Sequence, residues 1–268
     1  MRLENKYELL KENILKMGNI SIAFSGGVDS SLLLKIASDV LNEKVLAITV
    51  RSLFFPEREY YEAIEYVQKY NIRHEIIDFD IINFEEIISN TPDRYYKCKI
   101  KIFEEIKRAS IKQNIIYVTD GSNIDDLSDY RPGMKALKEL KIISPLKDVG
   151  LTKEEIRTLS SQIGLKTYDK PSYACLASRF PYGQKITKEN LLMVDKAEQF
   201  LMDIGFKQIR VRHHGDIARI EVGSQERRKF YKDEVLDKVN NKFKEIGFRY
   251  TAMDLKGYRT GSLNDILY

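Results

Sequence analysis

A glycine-rich segment between an apolar strand and a helix is the feature that most restricts the fold of this chain. The segment SGGVDSS occupies residues 25–31, after the short apolar run at residues 19–24 and before the helical run at residues 32–41. A strand, a glycine loop and a helix in this order predict the start of a parallel sheet, with the loop at the carboxyl end of the first strand. Open α/β sheets bind their ligands at that position.

Strands and helices continue to alternate after this loop. Strands are predicted at residues 44–50, 73–79 and 115–119, and helices at residues 56–70, 97–113 and 152–163, after an amphipathic helix at residues 3–15. Alternation at these lengths favours right-handed crossover connections. We therefore predict the α/β class, with a doubly wound parallel sheet.

The helical period is lost after Gly164 and returns at residue 187. The intervening stretch contains Pro171, Pro181 and Gly183 and is longer than an ordinary connection of about 4–6 residues. A helix at residues 187–204, a hairpin at residues 206–213 and 217–222, a helix at residues 225–246 and a strand at residues 248–255 follow. We predict two domains: an α/β domain of residues 1–185 that includes the long loop, and a smaller α+β domain of residues 186–268.

Composition excludes several classes of protein. The 268 residues include 44 basic and 40 acidic side chains, and the net charge of +4 is too small to indicate a nucleic-acid partner by itself. No apolar run approaches the roughly 18 residues of a membrane span, and the charged start is unlike a signal peptide, so we expect a cytoplasmic protein. Two cysteines cannot form a disulfide framework, which leaves reactive, metal-binding or trivial roles for them.

The residue types of the glycine loop suit a phosphate. Two glycines let the backbone approach an anion, and successive N–H groups and the helix N-terminus supply positive potential. The glycines are Gly26 and Gly27, and the hydroxyl donors are Ser25, Ser30 and Ser31. Asp29 could hold a magnesium ion that bridges phosphates. The segment matches neither the P-loop NTPase pattern nor the dinucleotide-binding pattern.

This loop resembles the pyrophosphate-binding loop of the ATP pyrophosphatases, or PP-loop superfamily. These enzymes adenylate a carboxylate or carbonyl oxygen and release pyrophosphate. The resemblance implies that the loop binds the β,γ-phosphates of ATP, with Mg²⁺ on Asp29, and that the strand containing Thr49 borders the adenine. The residues implied to hold the phosphates are Gly26, Gly27, Asp29 and Ser30. The loop indicates ATP chemistry and leaves the substrate open.

Two further segments narrow the resemblance. GSNIDDLSDYRPG at residues 121–133 and PSYACLASRFPYG at residues 171–183 closely resemble the LarE family of sacrificial sulfur transferases. This family builds the nickel-pincer nucleotide used by lactate racemase. The similarity covers nearly the whole chain, including RVR at residues 210–212 and ARIEV at residues 218–222. It implies that Gly121 and Asp126 also belong to the nucleotide site.

Cys175 lies in the long loop between Ser172 and Ser178, close in sequence to Arg179. The thiolate is the nucleophilic form of cysteine, and a guanidinium stabilises it, so Arg179 is a candidate activator. On composition alone, a small buried apolar residue is the alternative. The resemblance implies that Cys175 attacks an adenylated pyridinium carboxylate. Loss of the Cα proton and cleavage of the Cβ–S bond would then leave a thiocarboxylate and dehydroalanine. Each protein molecule would therefore complete only one turnover.

Cys98 brings a second mechanism of sulfur transfer into consideration. Some LarE relatives carry DRCxxCK here and use both cysteines, with the loop cysteine, to hold an iron-sulfur cluster that supplies sulfur catalytically. In this chain the segment is DRYYKCK at residues 93–99, so Tyr95 replaces the first cysteine. Two thiolates are fewer than a 4Fe–4S cluster normally takes. We therefore predict the sacrificial route without a cluster, and no function for Cys98.

The predicted hairpin supplies the remaining candidates. Arg210 and Arg212 alternate along a strand and so point to one face, where arginines could bind a substrate phosphate. A solvated charged face is the alternative. Glu221 on the partner strand could pair with the arginines or act as a general base. Glu198 is also a candidate, although a single glutamate on an amphipathic helix is usually solvated.

Other functions stay open on the sequence alone. A tRNA thiolase would relay a persulfide between Cys98 and Cys175, but the chain has little excess charge and no recognisable RNA-binding extension. An ammonia-fed amide synthetase would leave Cys175 without a role, and a nucleotide-binding regulator would need neither cysteine. We predict a small pyridinium mononucleotide substrate, no nucleic-acid or membrane partner and a homo-oligomer, and we allow for other cofactor-biosynthesis proteins as partners.

Overall fold

A computed structural model describes residues 1–127, 132–171 and 174–259 of the protein. The helices of these residues are α1 (Leu3–Met17), α2 (Val28–Leu41), α3 (Glu57–Lys69), α4 (Glu85–Ile88), α5 (Arg94–Lys112), α6 (Pro132–Glu139), α7 (Pro145–Asp148), α8 (Lys153–Gln162), α9 (Lys188–Asp203) and α10 (Asp233–Ile246). The strands are β1 (Ile20–Ala23), β2 (Val45–Arg51), β3 (Arg73–Asp78), β4 (Tyr117–Thr119), β5 (Ile209–His214), β6 (Ile217–Val222) and β7 (Tyr250–Met253). None of the helices in these ranges is long and apolar enough to cross a membrane.

The chain divides into two compact units. The first comprises Met1–Asp80 and Asp93–Tyr173, and the second comprises Ile81–Pro92 and Ala174–Tyr268. The predicted domain boundary after residue 185 lies further along the chain, and it assigned the segment around Cys175 to the first domain. In the structure this segment groups with the C-terminal strands, together with α4.

A four-stranded parallel sheet forms the centre of the first unit. Its strand order is β3-β2-β1-β4, with Ile22 opposite Ala47 on one side and Thr119 on the other. This is the predicted α/β class with a doubly wound sheet. The order places the carboxyl ends of β1 and β4 side by side, so the loops that follow these two strands meet.

Apolar side chains cover both faces of the parallel sheet. Successive residues of β2 point to opposite faces and pack in two different apolar clusters. Ala47 packs with α1, α2 and α8, while Ile48 packs with α5. A strand buried on both faces must be apolar at every position, which explains why β1 and β2 form nearly continuous apolar runs. The two clusters fix the sheet between its helices and leave its carboxyl edge for polar residues.

The second unit contains a three-stranded mixed sheet in the order β5-β6-β7. Strands β5 and β6 are antiparallel, as the predicted hairpin requires, and β7 is parallel to β6. Helix α9 packs on β5 and α10 packs on β7 and α9. A small α+β unit is therefore present, in agreement with the predicted fold class.

One predicted helix is wrong in its first part. The helix expected over residues 225–246 begins only at Asp233, after a 3₁₀ turn at Arg227–Tyr231. The side chain of Glu226 accepts hydrogen bonds from the N–H groups of Lys207 and Gln208, at 2.9 and 2.8 Å. These tertiary bonds hold the segment against the start of β5 and prevent it from continuing as an α-helix.

Several predicted features fall outside the described residues. Residues 128–131 and 172–173 belong to the two segments that resemble the LarE family, and they include Tyr130 and Ser172.

The structure also contains three helices that the sequence did not predict: α4, α6 and α7. Two of them span only four residues, which is too short for a helical apolar period to show in the sequence.

Candidate active site

The glycine loop turns tightly into helix α2. Gly26 has φ +68°, and a Cβ built on it would lie 3.4 Å from the Cβ of Ala63 on α3. A left-handed backbone against a neighbouring helix requires glycine. Gly27 is the N-cap of α2, so the helix starts inside the loop rather than at Leu32 as the sequence suggested.

The serines of the loop are held by their own backbone. Ser30 donates its hydroxyl to the carbonyl of Gly27 at 3.2 Å, and the Oγ of Ser25 accepts the N–H of Gly27 at 3.4 Å. Ser31 is fully buried, and its N–H donates to the Gly27 carbonyl at 2.9 Å. The exposed hydroxyl is that of Ser25, while the direct phosphate contacts predicted for all three serines stay predictions.

Gly121 follows β4 and lies directly against the loop. A Cβ added at Gly121 would lie 2.9 Å from the backbone nitrogen of Ser30 and 3.1 Å from its Cα. The chain beyond β4 can approach the loop this closely only because residue 121 has no side chain. Asp126, another predicted nucleotide residue, accepts the N–H of Asn123 at 3.0 Å and so shapes this second loop.

Two side chains of the first unit contact the Asp29 carboxylate. Asn123 donates its Nδ2 to Oδ1 at 3.3 Å. Lys153, the first residue of α8, forms an ion pair with Oδ2. Asp29 is therefore a charged group at the start of α2, where helix N–H groups also stabilise negative charge.

A second lysine fixes the glycine that turns the loop. Lys170 donates to the carbonyl of Gly26 at 2.9 Å and forms an ion pair with Glu62. Arg157 of α8 in turn donates to the backbone carbonyl of Lys170 at 2.8 Å. These contacts fix the Gly26 carbonyl and the backbone of Lys170.

Thr49, which was predicted to lie on the strand bordering the adenine, is hydrogen-bonded to the residue that precedes the glycine loop. Its hydroxyl donates to the carbonyl of Phe24 at 2.9 Å, and His74 Nε2 lies 2.8 Å from the same oxygen. Because the hydroxyl has one proton and gives it to Phe24, His74 must carry its proton on Nε2. Burial lowers the pKa of His74, which keeps the ring neutral.

Cys175 begins a 3₁₀ turn in the second unit. It is the N-cap of Leu176–Arg179, and its carbonyl accepts the Ser178 N–H at 3.0 Å and the Ser178 hydroxyl at 2.9 Å. Arg179 also donates to this carbonyl, at 3.2 Å, and to that of Ala174 at 2.8 Å. The backbone on both sides of the partly exposed thiol is thus fixed by the guanidinium.

Arg179 and Glu198 form a fully buried ion pair. Arg179 donates Nε and Nη2 to the two carboxylate oxygens at 2.8 and 3.0 Å, and neither side chain has exposed surface. Val211 donates its N–H to Glu198 at 2.9 Å. Burial alone would raise the pKa of Glu198, but Arg179, Arg210 and the Val211 N–H outweigh burial and lower it. The expected solvated glutamate is instead a buried anion.

The two strand arginines are buried rather than solvated. Arg212 donates to both oxygens of Glu221, at 3.0 and 2.8 Å, and to the Ser178 carbonyl at 2.6 Å. The guanidinium of Arg210 lies 5.0 Å from the ring centre of Tyr258. Burial and the nearby charge of Arg179 lower the pKa of Arg210 to about 10. The alternative of a solvated face is therefore wrong for both residues.

Comparison with known proteins places this chain in a family. The NAD synthase family model matches residues 3–123. The chain is 34% identical over 266 residues to the pyridinium-3,5-bisthiocarboxylic acid mononucleotide synthase of Lactiplantibacillus plantarum, the LarE enzyme, covering 99% of this chain and 96% of that protein. The chain belongs to the LarE family.

Two uncharacterized proteins share this full-length similarity. One, from Synechocystis sp., is 38% identical over 265 residues, which cover 99% of each chain. The other, from Methanocaldococcus jannaschii, is 33% identical over 254 residues, covering 94% of this chain and 96% of that protein. The protein described here is therefore an enzyme of the ATP-using PP-loop superfamily.

The residues around Asp29 fit a magnesium ion that nucleotide phosphates help to hold. No group of three or more His, Cys, Asp or Glu side chains gathers at one point in the described ranges. Mg²⁺ usually binds one or two carboxylates and completes its coordination with phosphate oxygens and water. Asp29, with a partly exposed carboxylate at the loop, could provide a protein ligand to such a site.

The sequence did not predict the side chains that contact the glycine loop. Asn123 lies two residues after Gly121, in a segment that resembles the LarE family, and this position could have indicated its role. Lys153 follows the N-cap Thr152, but nothing local indicates that α8 points its first residue at Asp29. Lys170 precedes a proline and carries no motif. Only the fold brings these three side chains to the loop.

Proposed function

We propose that this chain is an ATP-dependent sulfur transferase that converts a carboxylate of a pyridinium mononucleotide into a thiocarboxylate. The observation that carries the proposal is the 34% identity to a pyridinium-3,5-bisthiocarboxylic acid mononucleotide synthase over 99% of this chain. A predicted cysteine nucleophile in the second unit and a glycine loop in the first unit support it. We also propose a homo-oligomer.

Activation of the carboxylate belongs to the glycine loop. The N–H groups at the start of α2 and the Ser25 hydroxyl would bind the β,γ-phosphates of ATP, and Thr49 lies on the strand that would border the adenine. A magnesium ion bound to Asp29 would neutralise phosphate charge. The substrate carboxylate then attacks the α-phosphorus, pyrophosphate leaves, and an acyl adenylate forms. The close approach of Gly121 to the backbone of Ser30 supports this assignment, because it brings the second loop against the glycine loop.

Sulfur transfer belongs to Cys175. Its thiolate attacks the acyl carbon and AMP leaves, which gives a thioester between substrate and protein. A base removes the Cα proton of residue 175, the Cβ–S bond breaks, and the sulfur departs as the thiocarboxylate. The protein retains dehydroalanine. Glu198 and Glu221 are the proposed candidates for the base, and Arg179 the proposed activator of the thiol.

Arg210 and Arg212 are proposed to bind the substrate phosphate. Burial makes the charge of Arg210 costly, as its pKa of about 10 indicates, so a phosphate dianion would stabilise it. Arg212 is already paired with Glu221 on one edge of its guanidinium, which fixes its orientation. A positioned arginine loses little conformational entropy when it binds an anion.

Two variants separate activation from sulfur transfer. Asp29→Asn should abolish magnesium-dependent pyrophosphate release from ATP and substrate, because the metal loses its carboxylate. Cys175→Ala should still release pyrophosphate but yield no thiocarboxylate, because activation does not need the thiol. Pyrophosphate is followed by an enzyme-coupled assay and the thiocarboxylate by mass spectrometry.

Other outcomes would favour the rival functions. Orthophosphate as the first product of the wild type would contradict adenylation. An amide formed with ammonia would indicate a synthetase, and a reducible disulfide between Cys98 and Cys175 after turnover would indicate a persulfide relay. Iron-dependent multiple turnover with an unchanged Cys175 would indicate cluster chemistry.

A further inference from the structure

Residues 254–258, which we call the strap, follow β7 in the second unit and lie along β6. The N–H of Asp254 donates to the carbonyl of Ile220, and the N–H of Tyr258 donates to the carbonyl of Val222, each at 2.9 Å. Both ends of the strap are therefore hydrogen-bonded to β6, the strand that pairs with the arginine-bearing strand β5.

A tight turn inside the strap is fixed by one arginine and one glycine. Arg227 donates Nη1 and Nη2 to the carbonyls of Leu255 and Lys256, at 3.0 and 2.6 Å. Gly257 has φ +71°, and a Cβ added there would lie 2.6 Å from the carbonyl oxygen of Val222. A left-handed backbone this close to β6 requires glycine. The path of the strap up to residue 258 is thus set by its backbone contacts.

The strap brings the ring of Tyr258 to the guanidinium of Arg210. The guanidinium carbon lies over the ring, 5.0 Å from its centre, and a cation–π contact extends to about 6 Å. Arg210 is only 5% exposed and Tyr258 is half-buried, so little water weakens the contact. A neutral ring restrains a guanidinium without neutralising its charge, whereas a carboxylate does both.

Charged side chains connect the strap to the second strand arginine as well. Asp254 pairs with Arg219 at 3.6 Å. Arg219 and Arg212 both bind the carboxylate of Glu221, at 3.0 and 2.8 Å. The strap thus contacts one strand arginine through a ring and reaches the other through a chain of ion pairs.

We propose that Tyr258 is a positioning residue for the substrate phosphate, and that it acts by holding the Arg210 guanidinium in place. A side chain that is already restrained loses less conformational entropy when its ligand binds. The strap supplies the ring, and its fixed turn sets where the ring lies. This inference rests on the proposed phosphate role of Arg210 and Arg212, and it adds a segment outside the hairpin to that site.

Loss of the ring should weaken the binding of a phosphate-bearing ligand alone. Tyr258→Leu should raise the Kd for nicotinic acid mononucleotide, a pyridinium carboxylate mononucleotide used as the probe, about three- to thirtyfold, the scale of one cation–π contact. Nicotinic acid riboside, which lacks the phosphate, should bind with an unchanged Kd, and so should ATP. Tyr258→Phe keeps the ring and should recover most of the affinity. Titration calorimetry measures these constants without turnover.

Two further comparisons test whether the ring acts through the arginine and the strap. In an Arg210→Ala background, Tyr258→Leu should cause no further loss of mononucleotide affinity, because the ring has no guanidinium to hold. Gly257→Ala should weaken mononucleotide binding although the ring is present, because the new methyl group displaces the turn. Gly215→Ala is the matched control: it also has a left-handed φ, +61°, but its added Cβ meets no atom within 4 Å. It should bind the mononucleotide as the wild type does.

The possible failures are distinguishable. Wild-type affinity in Tyr258→Leu, or a full additional loss in the Arg210→Ala background, would overturn the inference and leave the proposed function intact. Equal losses for mononucleotide, riboside and ATP would show that the ring only stabilises the fold, and would overturn the inference too. A wild type that binds the mononucleotide no better than the riboside would contradict the proposed phosphate site itself.

Discussion

At the residue scale, the second unit contains buried, paired charges, although Glu198 was expected to be solvated and a solvated face was the alternative for Arg210 and Arg212. Glu198 has no exposed surface, and neither do Arg179 and Glu221. A buried charge survives only when other groups supply the interactions that water would give. The partners of Glu198 are residues 179, 210 and 211, which lie on other elements, so no local pattern in the sequence could reveal its burial. The sequence was sufficient to suggest a pair between Glu221 and a strand arginine, which Arg212 forms, but not the pair between Arg179 and Glu198.

Glu198→Gln should destabilise the second unit. The variant leaves the Arg179 guanidinium buried beside a neutral amide, and breaking one side of a buried pair costs about 3–5 kcal/mol of unfolding free energy. Urea unfolding at neutral pH measures this loss. Glu189→Gln, in the exposed first turn of the same helix, should cost much less.

The destabilisation should depend on pH in a defined direction. The folded state lowers the pKa of Glu198 below the ordinary value of about 4.3. The contribution of its charge is therefore complete above that value and is lost as the pH falls through the folded pKa. The difference between the wild type and Glu198→Gln should shrink below about pH 4. An equal difference at pH 7 and pH 3 would contradict the charge argument.

At the scale of elements, the loop site depends on two neighbouring strands ending at the same edge. The alternation of strands and helices was sufficient to predict this edge, because carboxyl ends of parallel strands lie together. The distance between the loops that follow was not predictable. It depends on the register that sets Ile22 opposite Thr119, and on the absence of a side chain at Gly121.

Gly121→Ala should therefore damage the nucleotide site. The new methyl group would meet the backbone of Ser30 at 2.9 Å, and backbone cannot move as cheaply as a side-chain end. Overpacking costs about 1–3 kcal/mol of folding free energy, and because the strain falls on the loop itself we expect weaker ATP binding, measured by calorimetry. Gly223→Ala is the matched control, since its methyl group meets only the flexible end of Gln208. Equal ATP affinity in both variants would show that the close approach is unimportant.

At the scale of the whole molecule, the sequence predicted two parts but not their exact membership. The segment Ile81–Pro92 groups with the second unit, although it lies between strands and helices of the first in the chain. Asn90 donates its side-chain amide to the carbonyls of Phe180 and Pro181, and its own carbonyl accepts the Gly183 N–H. Such contacts join residues about ninety positions apart, so hydrophobic period and turn residues give no sign of them.

In the proposed chemistry the protein is consumed as the sulfur donor, so its mass should decrease after turnover. After one turnover with ATP and the pyridinium carboxylate, the wild type should be lighter by one hydrogen sulfide, with residue 175 able to add an external thiol as an alkene does. Product should not exceed one thiocarboxylate per chain. Cys98→Ala should lose the same mass and give the same yield, because Cys98 lies buried in α5 and the proposed transfer does not use it. Cys175→Ala should keep its mass. A Cys98→Ala chain that keeps its mass and forms no product would mean that both thiols take part.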